Sequence, residues 1–140
     1  FDKLSAHYDG DLKGKTIAVW GLSFKPNTDD MREAPSRVLM ASLWDAGAKV
    51  RAYDPEAMEE AARIYHGQEG FELCETSYDA LEGADALVIV TEWQEFRSPD
   101  FQAIKEKLAD DVIVDGRNLF DPETVEGLGL KYYAIGRGRN

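Results

Sequence analysis

The chain has 140 residues, enough for one domain that buries roughly 68% of its unfolded surface. Its 16 Lys plus Arg against 27 Asp plus Glu give a net charge of −11, which excludes a general nucleic-acid face and requires any anion site to be built locally. The single Cys74 excludes an internal disulfide, and no apolar run approaches the ~20 residues of a membrane span.

The chain opens on Phe1 with no signal peptide, and reads as a piece of something longer in a reducing, cytoplasmic compartment. Residues 1–13 are polar and stand outside the pattern that follows; they are expected to be a linker or the end of a preceding helix. Thr16 to Trp20 reads as a first strand. Pro35 and Ser36 open a helix through Val38, Leu39, Leu43 and Ala46, stopped by Gly47. Lys49 to Tyr53 is a second strand, closed by Asp54-Pro55. A helix over 56–66 ends at Gly67. Phe71 to Cys74 is a short strand, and Ser77 to Leu81 a helix of one to two turns. Ala86 to Val90 is the most apolar strand and belongs in the sheet centre. Ser98-Pro99-Asp100 caps a helix over Phe101 to Leu108. Val112 to Val114 is a strand, Asp121-Pro122-Glu123 begins a short helix, and Leu130 to Ile135 is a last strand. Strands alternating with helices predict an α/β fold: a doubly wound, Rossmann-like parallel sheet of about six strands, with helices on both faces, over residues 14–140.

The polar loop from Gly21 to Ala34 follows a buried strand and precedes a helix, where open α/β sheets bind ligands. It carries Lys25 and Arg32, as an anion site would need. Yet the dinucleotide fingerprint Gly-x-Gly-x-x-Gly fails: Ser23 and Pro26 stand where its second and third glycines belong. NAD is therefore not expected here in the usual manner.

Lys25 reads as a ligand cation or a solvated lysine. Arg32 reads as a second cation or a partner of Asp29 or Asp30, and Phe24 as core. Arg117, in Asp115-Gly116-Arg117-Asn118, ends the fifth strand at the same crevice. Its guanidinium fork suits phosphate, and the competing reading is an ion pair with Asp115 or Asp121. Thr91 is expected to satisfy loop backbone, and Asp54 to form a turn before Pro55. Cys74 reads as a buried structural thiol, and neither His7 nor His66 belongs to a metal-ligand cluster. No complete catalytic set is present, as if the chain held half of an active site.

Four segments carry a resemblance: Gly21 through Ser36, Val50-Arg51-Ala52-Tyr53-Asp54-Pro55, Ala84 through Trp93, and Val114-Asp115-Gly116-Arg117-Asn118. In this order they resemble the C-terminal, UDP-binding domain of the UDP-glucose/GDP-mannose dehydrogenase family. That family oxidises the C6 alcohol of a nucleotide sugar to a carboxylate in two NAD-dependent steps.

The resemblance implies that Phe24, Lys25 and Arg117 contact a UDP-sugar and that Arg32 reaches the NAD side. Cys74 matches no catalytic position. The nucleophilic cysteine and NAD-binding glycines would belong to an N-terminal domain, and dimerisation to a central helix, both outside this chain. Residues 1–13 would be the remnant of the linker from that helix. The chain by itself is expected to lack dehydrogenase activity. A stand-alone nucleotide-binding or interaction module is the alternative. A phosphorylated receiver domain is discarded: it needs an acidic pair after the first strand, where Trp20-Gly21 stands, and a Lys where Arg117 stands.

Overall fold

A computed structural model describes residues 2–23, 31, 34–97, 99–117 and 119–134. Six strands form one parallel sheet: β1 (Thr16–Trp20), β2 (Lys49–Tyr53), β3 (Phe71–Leu73), β4 (Ala86–Ile89), β5 (Val112–Asp115) and β6 (Lys131–Ala134). Their order is β3-β2-β1-β4-β5-β6. This is the doubly wound arrangement the alternation predicts, with β4 inside the sheet. Its switch point lies between β1 and β4, which pair directly while their connections lead in opposite directions.

Among the described residues five α-helices occur: α1 (Asp2–His7), α2 (Pro35–Asp45), α3 (Met58–Ile64), α4 (Phe101–Lys107) and α5 (Pro122–Gly127). Strand residues alternate between the two faces, because successive side chains point opposite ways. Ile17, Val19, Val88 and Val114 pack in one cluster with Leu39, Met40 and Leu43 of α2 and Ala61 of α3. Ala18, Trp20, Leu87, Ile89 and Ile113 pack in the other with Ile104 of α4 and Val125 of α5.

Local chemistry sets the ends of these elements. Pro35 sits at the start of α2, where a missing N–H costs nothing. Asp100 and Asp121 cap α4 and α5 by accepting from the amides of Ala103 and Thr124. Gly47 takes φ +88° and closes α2 through a bond from its amide to the Trp44 carbonyl.

One expectation changes. The segment over Ser77 to Leu81 forms only a 3-10 turn at Asp79–Leu81, the poorer geometry suited to so short a run. Residues 1–13, polar on average, still contribute Leu4 and Leu12 to the core, where each is at most 1% exposed. The segment is docked further by His7 Nδ1 against the Tyr133 hydroxyl (2.7 Å) and by the Tyr8 hydroxyl donating to Asp110 (2.7 Å).

Candidate functional site

The strands end in register. Trp20 lies opposite Tyr53 and Ile89, and Ile89 opposite Asp115. The next residues of β1, β4 and β5 continue the ladder once more: Gly21 N donates to Tyr53 O, Val90 N to Trp20 O, and Gly116 N to Ile89 O. Four loops therefore leave the sheet at one level, and each starts with a residue that fixes its direction.

Gly21 is required twice over. Its φ is +99°, and a Cβ there would lie 2.6 Å from Thr91 Cβ, Oγ1 and backbone N. Thr91, fully buried, donates its hydroxyl to Ser23 O at 2.8 Å, satisfying loop backbone as its sequence position suggests. On the opposite side Ser36, at the start of α2, donates to Leu22 O at 2.6 Å.

Asp54 does more than make a turn. Its Oδ1 accepts from the amides of Glu56 and Ala57, as an Asp before a helical segment does. Its Oδ2 accepts from Leu22 N (2.7 Å), Ser23 N (3.0 Å), Ser23 Oγ (3.2 Å) and Trp93 Nε1 (3.1 Å). All six partners donate and the side chain is 0% exposed, so the carboxylate ties the ends of β1, β2 and β4 together.

Asp115 plays the matching part after β5. It accepts from Arg117 N (2.9 Å), Leu119 N (2.7 Å) and the Tyr132 hydroxyl (2.6 Å). Gly116 is not in the left-handed region. A Cβ there would approach Ile89 O to 3.0 Å, so a larger residue would require the end of β4 to give by a few tenths of an ångström.

Arg117 thus emerges half-buried at the switch point, but not with the expected partner. Its Nε donates to Val90 O at 2.8 Å and lies 3.2 Å from Glu92 Oε2, so the ion pair is with β4's exit loop rather than Asp115 or Asp121. The reason is topological: β4 and β5 are neighbours, so residues 25 apart in sequence meet at their ends. Neither terminal guanidinium nitrogen makes a hydrogen bond among the described residues. Beside it a groove of about 430 Å³ crosses the sheet end, walled by Pro35, Val38 and Leu39 of α2 and by Val90, Val114 and Arg117. Val38 stands 72% exposed at its rim. Among the described residues the groove offers one cation on an otherwise apolar wall, an arrangement that can hold an anionic group attached to a flat or apolar one.

Phe24, Lys25 and Arg32 lie outside the described residues. The structure does show the foot of the loop that bears them, pinned at Leu22 and Ser23 and again at Ala34–Ser36. Sequence reasoning placed Glu92, Trp93 and Asp115 on this edge but missed their partners: Arg117 for Glu92, Asp54 for Trp93, and Leu119 N and the Tyr132 hydroxyl for Asp115. The signal available was only that each sits at or just after a strand end. Cys74 is buried just past β3, and burial pushes its thiol up, away from nucleophilic character. His66 is exposed after α3, and His7 belongs to the docked N-terminal segment, both remote from the edge. Among the described residues no metal-binding cluster occurs, and no helix is long and apolar enough to cross a membrane.

Residues 18–122 match the UDP binding domain of the UDP-glucose/GDP-mannose dehydrogenase family. A UDP-glucose 6-dehydrogenase of Pseudomonas aeruginosa is 47% identical over 99% of this chain and 31% of its own length. One of Rhizobium meliloti is 46% identical over 96% of this chain and 30% of its own. Among solved structures, a UDP-glucose dehydrogenase of Pyrobaculum islandicum superposes with a TM-score of 0.74 at 29% identity, over 94% of this chain and 27% of that one. The chain thus spans about a third of the length of these relatives. It belongs to the UDP-glucose/GDP-mannose dehydrogenase family and corresponds to that family's UDP binding domain.

Proposed function

We propose that this chain is the nucleotide-sugar-binding domain of an NAD-dependent UDP-glucose 6-dehydrogenase. The whole enzyme converts the C6 alcohol of UDP-glucose to the carboxylate of UDP-glucuronate in two steps, in a cytoplasmic, reducing setting that suits the lone buried thiol. The observation that carries the reading is Arg117, held by Val90 O and Glu92 at the switch-point groove with its two terminal nitrogens available. A diphosphate offers paired oxygens to such a fork. Phe24 and Lys25, on the loop leaving Ser23, supply the facing contacts, and Arg32 reaches the NAD side.

The residues after β1 do not fit NAD itself in the dinucleotide manner. The amides of Leu22 and Ser23 are already bonded to Asp54. NAD, the catalytic nucleophile and the dimer contacts belong to the N-terminal and central parts, and this chain performs binding rather than hydride transfer.

Calorimetry of the chain with UDP, UDP-glucose, GDP and NAD tests the reading. UDP and UDP-glucose are expected to bind and NAD not to. Equal affinity for all four, or none for UDP, would sink it.

A further inference from the structure

In a dinucleotide-binding sheet two features do separate work. The backbone amides after β1 face the pyrophosphate, and an acid at the end of β2 holds a ribose hydroxyl. Here the acid at the end of β2 is bonded to the amides after β1. We infer that Asp54 is an internal anion: its carboxylate holds the place of a ligand phosphate against the Leu22 and Ser23 amides and so keeps dinucleotides off this half of the fold.

The geometry is that of an oxyanion site. Four donors converge on Oδ2: Leu22 N at 2.7 Å, Ser23 N at 3.0 Å, Ser23 Oγ at 3.2 Å and Trp93 Nε1 at 3.1 Å. Such charge-assisted bonds are the stronger class. The carboxylate cannot swing aside, because Oδ1 is held by Glu56 N (2.8 Å) and Ala57 N (2.9 Å) from the other direction. The site is sealed: Asp54 and Ser23 are 0% exposed and Trp93 is 7% exposed. A free phosphate would have to displace an anion tethered at its own binding site, whose effective concentration exceeds any that a solute reaches.

The arrangement also explains why the glycine fingerprint is not needed. Its second glycine lets the backbone approach a pyrophosphate. Where a short Asp side chain supplies the anion, Ser23 is accommodated and its hydroxyl becomes one more donor. The consequence is specificity: a phosphate is excluded from the Leu22 and Ser23 amides, and the groove beside Arg117 is left to an anionic ligand. This inference does not depend on the identity of the nucleotide sugar.

Chemical rescue tests it on this chain. Asp54→Ala removes the carboxylate and leaves room for a formate ion between the same donors. In chloride the variant is expected to melt ~5 °C or more below the parent. Replacing ~0.1 M chloride by formate at equal ionic strength should raise its melting temperature by ~3 °C or more while moving the parent by under ~1 °C. Asp54→Asn fills the same space with an amide and should show no formate response. On the parent chain, saturating NAD should leave the NMR signals of the Leu22 and Ser23 amides in place. The inference is overturned if formate moves Asp54→Ala no more than the parent, or rescues Asp54→Asn as well. It is also overturned if Asp54→Ala stays unfolded in formate, or if NAD shifts those two amides.

Discussion

Gly21 and Thr91 touch so closely that no side chain fits between them: a Cβ on Gly21 would lie 2.6 Å from the Thr91 backbone nitrogen. The contact joins the ends of β1 and β4 at the switch point. The Gly21→Ala substitution adds a clash with backbone to the strain of φ +99°. Strain and overpacking of this kind cost about 1–3 kcal/mol each, so a loss of about 2–6 kcal/mol is expected. Urea unfolding measures it. A loss below about 1 kcal/mol would show that the loop yields and that the contact does not fix its course.

Arg117→Lys keeps the charge but not the fork. The ion pair with Glu92 is one-third exposed on both sides, and exposed pairs contribute only ~0–1 kcal/mol, so the melting temperature should barely move. A charge-assisted bond to a ligand is worth about 1.5–3 kcal/mol, so the dissociation constant for UDP should rise roughly ten- to hundredfold. Titration of parent and variant with UDP decides it. Unchanged affinity would reduce Arg117 to a structural ion pair.

Lys25→Ala, on the loop that leaves Ser23, should weaken UDP binding by a similar factor of roughly ten to a hundred without unfolding the domain. Loop lysines contribute little to stability. A lowered melting temperature with intact affinity would be the contrary result.

Asp115 is fully buried and receives three donors, so its loss strands them and frees the turn that presents Arg117. Asp115→Ala should cost about 3 kcal/mol or more. Tyr132→Phe removes one of the three donors and should cost about 1 kcal/mol. Denaturant midpoints of both variants give the order. A larger loss for Tyr132→Phe would mean that the hydroxyl's weaker second contact, to Phe120 O at 3.3 Å, carries the strand end instead.

His7 gives the docked N-terminal segment a pH dependence. Burial lowers its pKa, Lys131 adds to the lowering, and the charges of Asp110 and Asp9 oppose it. A histidine depressed in the folded state binds fewer protons there than in the unfolded chain. Its contribution is therefore complete above the unfolded value near 6.5, and is lost as pH falls below 6.5 toward the lower folded value. The melting temperature should fall between pH 7 and pH 5.5, and the His7→Gln variant should fall less steeply. Asp110, held below its ordinary range by Tyr8 and Lys15 against the opposing effect of burial, acts in a lower window, below the carboxylate range. Parallel slopes for parent and variant would remove His7 from the docking.

The alternation of strands and helices was legible in the chain because it rests on local signals. Apolar runs such as Thr16 to Trp20 and Ala86 to Ile89 are continuous because both faces of a parallel sheet are covered. Pro35, Gly47 and the capping Asp100 and Asp121 act within a few residues of where they stand. The candidate Arg117 was legible too, as an arginine after a strand-ending Asp-Gly pair.

Partners were not legible, because they are set by sheet order. Asp54 meets Leu22 and Ser23 over 31 or 32 residues and Trp93 over 39, and Arg117 meets Glu92 only because β5 lies beside β4. The same holds for Leu4 and Leu12, two apolar residues in a polar segment whose burial depends on the core already present beneath them. By itself the sequence determined which residues form strands, helices and turns, since each answers to neighbours along the backbone. Only the tertiary structure decided which charges face one another, because electrostatic and hydrogen-bond partners are chosen by distance in space. That choice turned an ordinary turn aspartate into the carboxylate that holds the β1 loop, and set Arg117 against Val90 O and Glu92.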